Sequence, residues 1–263
     1  MGSATRSALE SARSALASAQ GIDLAAGEQL LFAARTIGSS PQLVNALTDT
    51  SATPEAKAGL IGTIFGSMPT SARTLLEGMV ASRWSSGDEL LAGIEEIGIR
   101  AVAATAPSTV SVEGELFAFA RAVASDPELE LAIGSKRGDA EGKLGLVTSL
   151  LASSASAQTV AIAGHLVQQP RGRRIGALVR HGAELVADTA GRGVATVTVA
   201  RPLTSEQRVA VDASLARRYG RAFSIDQIVD PSVIGGVRIQ VGDEVIDGSV
   251  AARLTELKLR LAG

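Results

Sequence analysis

The chain has 263 residues, 46% of them hydrophobic but only 3% aromatic, so its apolar content is mostly Ala, Leu, Val and Ile. With a net charge of −2 and no cysteine, disulfides and thiolate metal sites are excluded, and no general pull toward nucleic acid or an anionic membrane is expected. No apolar run approaches the ~20 residues that span a bilayer, which argues against direct membrane insertion.

The first twenty residues carry Arg6, Arg13, several Ser and many Ala, a composition seen in mitochondrial transit peptides. Leu9, Ala12, Leu16 and Ala19 nevertheless form one helical stripe, and Glu10 is acidic, which favours an ordinary first helix over about 4–19. Further helices are predicted over about 23–38, 41–49, 54–66, 71–83 and 88–104. A second series follows over about 110–124, 127–133, 140–152, 156–168 and 173–190. Ser40 before Pro41 and Asp126 before Pro127 each place a capping side chain ahead of a proline at the first helical position; Thr53 and Asp139 do the same job one helix later.

The two series repeat each other. Ser40-Pro-Gln-Leu43 answers Asp126-Pro-Glu-Leu129, and Glu55-Ala-Lys-Ala-Gly-Leu60 answers Glu141-Gly-Lys-Leu-Gly-Leu146, both at an offset of 86. Residues 33–64 and 119–150 share 10 identities in 32 ungapped positions. The period exceeds the ~20–50 residues of a solenoid and implies a duplicated domain. A first helical bundle is therefore expected over 1–106 and a second over 107–190, with short antiparallel connections. The helix at 4–19 has no counterpart in the second bundle, so the groove it fills in the first is expected to be open or filled otherwise in the second.

At Gly191 the composition changes. Val194–Ala200 is rich in β-branched residues and reads as a strand ended by Pro202. Thr204-Ser-Glu-Gln207 is a capping box that opens a helix to about Tyr219, with Gly220 as its stop. Phe223, Ile225 and Ile228 form a further strand. Val237, Ile239 and Val241 then alternate with Arg238 and Gln240, Gly242-Asp243 supplies a two-residue turn, and Val245-Ile246 resumes the apolar run. Gly235-Gly236 suits a bulge or a close backbone approach. Asp247 or Ser249 is expected to cap a last helix carrying Val250, Leu254, Leu257 and Leu261. The fold class is thus mainly α, tandem helical bundles followed by a small α+β domain over 191–263.

Sites for chemistry are missing. Gly138-Asp-Ala-Glu-Gly-Lys-Leu144 is one residue short of a phosphate loop and ends in Leu, and Gly191-Arg-Gly-Val-Ala-Thr196 follows a helix rather than a strand. His165 and His181 lie on separate helices and read as surface or half-buried side chains without metal partners. Glu95-Glu96 reads as a solvated face and Asp243-Glu244 as a turn. No cofactor and no catalytic or metal residue is indicated. Arg171, Arg173, Arg174 and Arg180, with His181, make the one basic cluster. It reads as a solubilising loop and helix start, or as a docking patch for an acidic segment. It lacks the interleaved aromatics of a nucleic-acid site.

The run Asp230-Pro-Ser-Val-Ile-Gly-Gly-Val-Arg-Ile-Gln-Val-Gly-Asp243, followed by Val245-Ile-Asp-Gly-Ser-Val250, resembles the C-terminal signature of the delta subunit of F-type ATP synthase, the family of the oligomycin-sensitivity-conferring protein. The doubled bundle resembles the enlarged actinobacterial form. The resemblance implies a non-catalytic stator subunit on the cytoplasmic face of the bacterial cell membrane, peripheral through its complex. It further implies that an N-terminal bundle binds the N-terminal helix of the alpha subunits and that the C-terminal domain binds the b-type stalk. The first copy, with its extra helix, is the preferred holder of the alpha helix. Asp230, Pro231, Gly235, Gly236, Gly242, Asp243, Asp247 and Gly248 are expected to shape the C-terminal domain. The competing class is a general helical adaptor for unrelated amphipathic partners.

Overall fold

A computed structural model describes residues 2–135, 139–233 and 235–248. The chain divides into two compact units, Met1–Val186 and Ala187–Gly263. The expected division at 106/107 falls inside the first unit.

In the first unit the helices run α1 (Ser3–Ser18), α2 (Leu24–Gly38), α3 (Pro41–Thr48), α4 (Pro54–Ile64), α5 (Thr70–Ala81), α6 (Gly87–Ala104), α7 (Val112–Ser125), α8 (Pro127–Gly134), α9 (Ala140–Leu151) and α10 (Ala157–Gln168); α11 spans Ile175–Thr189. The helix starts follow from local chemistry. Side chains of Ser40, Thr53, Asp126 and Asp139 each accept a hydrogen bond from a free N–H in the first turn of the helix that follows.

α1–α6 enclose one core built around Leu30, Ile37, Ile61, Leu76, Met79, Leu90, Ile94 and Ile97, all fully buried. With so few aromatics, close approach of backbones replaces bulk. Gly27 of α2 lies against the backbone of Val102 on α6, and Gly98 of α6 lies under Leu31 of α2. The buried residues of α7–α9 occupy the positions of those in α2–α4: Leu30, Leu31, Ala34, Ile37, Leu47 and Ile61 correspond, 86 residues on, to Leu116, Phe117, Ala120, Val123, Ile133 and Val147. Lys57 and Lys143, also 86 residues apart, are both buried.

α6 differs from the solvated helix its Glu95-Glu96 pair suggested. It is buried nearly all round from Leu90 to Val102, and Glu95 is only 5% exposed. A helix that is apolar on every side belongs in an interior, and the two carboxylates are carried in with it.

The second unit holds β1 (Gly193–Val199), α12 (Ser205–Tyr219), β2 (Phe223–Val229), β3 (Val237–Val241) and β4 (Glu244–Asp247), in sheet order β2-β1-β3-β4. β1 and β2 are parallel and joined through α12, whereas β3 is antiparallel to both β1 and β4. Ala195, Val197, Val199 and Phe223 form the core with Leu215 of α12. The α12 capping box is present in both directions, and Gly220 ends the helix in the left-handed conformation. Asp247 pairs with Arg238 as the last residue of β4, and the helix it was expected to cap falls outside the described residues. Ser249 and the apolar stripe from Val250 to Leu261 lie outside the described residues.

The chain's single tryptophan, Trp84, is buried, and its Nε1 donates to the Met79 carbonyl at 2.7 Å. Its ring covers Gly93 of α6, where a Cβ would lie 2.2 Å from the ring. Gly93→Ala is therefore expected to cost about 1–3 kcal/mol of overpacking. Urea unfolding followed by Trp84 emission checks this, and an unchanged midpoint would contradict the packing.

Candidate functional site

α1 and α5 frame an elongated groove of about 670 Å³. Ser11, Ala12, Ala15, Ser18 and Ala19 form one wall; Thr70, Ser71, Thr74, Leu75, Gly78, Met79 and Ser82 form the other. Both sets follow helical spacing, so the groove runs along the two helices. Leu75 and Met79 give it an apolar floor, and the small residues keep it open. α1 is anchored at its start, where Thr5 Oγ1 donates to Glu89, and further along, where Arg13 Nε donates to Glu96 Oε1 at 2.8 Å. The shape suits an amphipathic helix with apolar knobs.

The basic cluster is not one surface. Arg171 Nη2 lies 2.8 Å from Glu95 Oε2 and Arg173 Nη2 lies 2.9 Å from Glu95 Oε1, in the connection between α10 and α11. Arg174 is exposed, and Arg180 is half-buried on α11. Glu95 also meets His165 of α10, at 3.3 Å from Nε2, and Arg35 Nη1 of α2 lies 2.8 Å from His165 Nδ1. An arginine can only donate, so Nδ1 accepts and the ring proton resides on Nε2, which donates to Glu95. His165 is thus held neutral: burial lowers its pKa, and a second ring proton would face the Arg35 N–H. For Glu95, burial pushes the pKa up. The hydrogen bond from His165 and the charges of Arg171 and Arg173 outweigh it and bring it down to about 2. His165 is fully buried, contrary to the surface or half-buried placement its sequence suggested, while His181 is exposed.

Glu95 and Glu96 point apart, as adjacent helical residues must, and tie α6 to different neighbours. Glu96 Oε1 accepts from Arg13 of α1 and, at 2.7 Å, from Arg100 of α6 itself. Sequence reasoning missed this network. The available signal was apolar sequence on all sides of Glu95 and His165, in Leu90–Val102 and Ala161–Val167.

In the second unit the signature residues gather in two places. Val199, Val229, Val237 and Asp247 share one end of the sheet. There Asp230 N donates to the Val199 carbonyl at 2.8 Å, while its carboxylate accepts from Ser232 N at 2.9 Å; hydrogen bonds from the Ser232 side chain and then its backbone lower the Asp230 pKa. Pro231 follows in the same turn. Gly235 and Gly236 have φ of 65° and 78°, and Gly248 N donates to the Val237 carbonyl at 2.9 Å. Gly242, with φ of 57°, and Asp243 make the β3–β4 loop at the other end. Beside that loop, Tyr219 and Arg218 of α12 bind Glu244, the tyrosine hydroxyl donating at 2.6 Å.

Comparison with known proteins settles the affiliation. The family profile described as ATP synthase delta (OSCP) subunit matches residues 99–261. The ATP synthase subunit delta of Leifsonia xyli subsp. xyli is 47% identical over 264 residues, covering 100% of both chains. The chain belongs to the ATP synthase delta (OSCP) subunit family. Among other relatives with the same name, that of Streptomyces avermitilis is 42% identical over 82% of this chain and 81% of its own. That of Streptomyces griseus subsp. griseus is 38% identical over 100% of both. The profile begins at Ile99, in the last turns of α6, so in this member of the delta family α1–α5 lie ahead of it.

The Glu95 network gives the fold an acid-side pH dependence. Glu95 has a lowered folded pKa, so its contribution is complete above the ordinary value of 4.5 and is lost as pH falls toward about 2. His165 also has a lowered folded pKa, so stability declines further below 6.5, where the unfolded chain takes up a proton that the folded ring refuses. Glu95→Gln is expected to cost up to about 3 kcal/mol at neutral pH and to flatten the profile between pH 4.5 and 2. Urea titrations across pH check this; a variant with the parent's acid profile would contradict it.

Proposed function

We propose that this chain is a non-catalytic stator subunit of F-type, proton-translocating ATP synthase. It links the catalytic head to the b-type peripheral stalk so that rotation stays coupled to ATP synthesis, and it contributes surfaces rather than a reacting group or cofactor. Family membership and the α1–α5 groove support this reading together. No described helix is long and apolar enough to cross a membrane. The chain is placed at the cytoplasmic face of the bacterial cell membrane through its complex.

The N-terminal helix of an alpha subunit lies in the α1–α5 groove. The open groove is the single observation that carries this assignment. The family profile covers the second half of the helical unit instead, which favours the reverse assignment, with the alpha helix on α7–α11. The C-terminal unit holds the end of the b-type stalk, and Asp230, Pro231, Gly235, Gly236, Gly242, Asp243, Asp247 and Gly248 set its turns. The helical part is a duplicated bundle, 1–106 and 107–190, followed by the α+β domain at 191–263; the matching buried positions support the duplication. Arg174, an exposed member of the basic cluster, meets an acidic segment of head or stalk. A general helical adaptor has nothing in its favour beyond the groove itself.

Gly78 tests the groove without disturbing the fold. A Cβ there meets nothing within 4 Å, so a larger side chain fits the helix and occupies the groove. Gly78→Leu is expected to weaken binding of an alpha-subunit N-terminal peptide by roughly tenfold or more, a loss of about 1.4 kcal/mol. Its Tm should stay level or rise, since replacing a helical glycine stabilises by about 0.5–1 kcal/mol. Calorimetric titration of the full chain reads the affinity; parental affinity in Gly78→Leu would move the site elsewhere.

A further inference from the structure

α10 occupies the place in the second half that α5 occupies in the first. Both are twelve residues long, and their buried positions coincide at an offset of 87: Ala72, Leu75, Leu76, Met79 and Val80 against Thr159, Ile162, Ala163, Leu166 and Val167. The same offset carries the groove row of α5, Ser71, Thr74, Gly78 and Ser82, onto Gln158, Ala161, His165 and Gln169. Small residues are thus replaced at three of four positions by large polar ones.

Each of those three touches the first half. Gln158 Nε2 donates to the Thr105 carbonyl at 3.3 Å and to its hydroxyl at 3.2 Å, at the C-terminus of α6. His165 sits between Glu95 of α6 and Arg35 of α2. The Gln169 amide lies against Gly38 at the end of α2, where a Cβ would come within 2.5 Å of its nitrogen. α6 therefore stands beside α10 as α1 stands beside α5, and the end of α2 also packs against α10 and Gln169.

We propose that the groove of the second half is an internal docking site, closed by α6 and the end of α2, so that the chain accepts one partner helix rather than two. Gly78 keeps one row open, and His165, with Gln158 and Gln169, locks the other onto the first half. An incoming apolar helix could enter the second row only by displacing His165 from between Glu95 and Arg35, which takes one hydrogen-bond partner from a buried carboxylate and opposes entry. The identity of the helix in the open groove rests on the function proposed above; the closure of the second groove does not.

Hydrogen exchange on the full chain tests both parts. In the free chain, Glu95→Gln is expected to speed exchange in residues 157–169 by about tenfold or more, as the lock loosens, with α4 and α5 unchanged. Gln158→Ala, which removes one neutral contact, gives the same pattern more weakly should Glu95→Gln not fold. Unchanged exchange over 157–169 in the variants would overturn the lock. With excess alpha-subunit N-terminal peptide, the parent chain should gain protection in α1 and α5 but not in α10, and saturate at one peptide per chain. Protection of α10 or a second equivalent would overturn the closure. A peptide that binds nowhere overturns the groove assignment instead, while the exchange of the free variants still decides the lock.

Discussion

The first unit is organised by the burial of α6 with two adjacent carboxylates. A buried carboxylate is costly unless charged and hydrogen-bonding partners surround it. Glu96 finds Arg13 and Arg100; Glu95 finds His165, Arg171 and Arg173. Because adjacent helical side chains diverge, these demands draw α1 to one side of α6 and α10 with its following connection to the other. Helices that share a largely aliphatic core thereby acquire fixed neighbours. This accounts for Met1–Val186 forming one unit despite its internal repetition.

The same economy of side-chain size explains the groove. Ala, Ser and Gly let α1 and α5 lie against the common core without filling the space between them. Bulk at Gly78 would close that furrow, and bulk at the corresponding His165 does so in the other half. Under the proposed closure, the two halves differ in use because small residues are exchanged for polar ones along a single row. The arrangement suits the proposed coupling role: the internal interface is held by buried polar contacts, and the α1–α5 groove is available to a partner.

What could be read from sequence was what local chemistry decides. The caps at Ser40, Thr53, Asp126, Asp139 and Thr204 act within one turn of their own helix, so the helix starts were legible. The β3–β4 hairpin was legible because alternation and Gly242 act within a few residues. The sequence repeat at an offset of 86 recurs in matching buried positions of α2–α4 and α7–α9, and the C-terminal signature carried the family resemblance. The Glu95–His165 contact joins residues 70 apart in the chain and has no local pattern. Glu95 was misread as solvated because a pair of acids usually is; its apolar surroundings on every side of the helix were the better guide. The arginines after α10 were read as one patch, whereas Arg171 and Arg173 are turned to a carboxylate supplied by a distant helix.

The most direct measurement is an electron cryomicroscopy map of the assembled synthase that contains this subunit. The account predicts a single alpha-subunit helix lying between α1 and α5, with Glu95 still bound to His165 and no foreign density against α10. An empty α1–α5 groove, or a partner helix seated on α10 with the Glu95 contact broken, would contradict it.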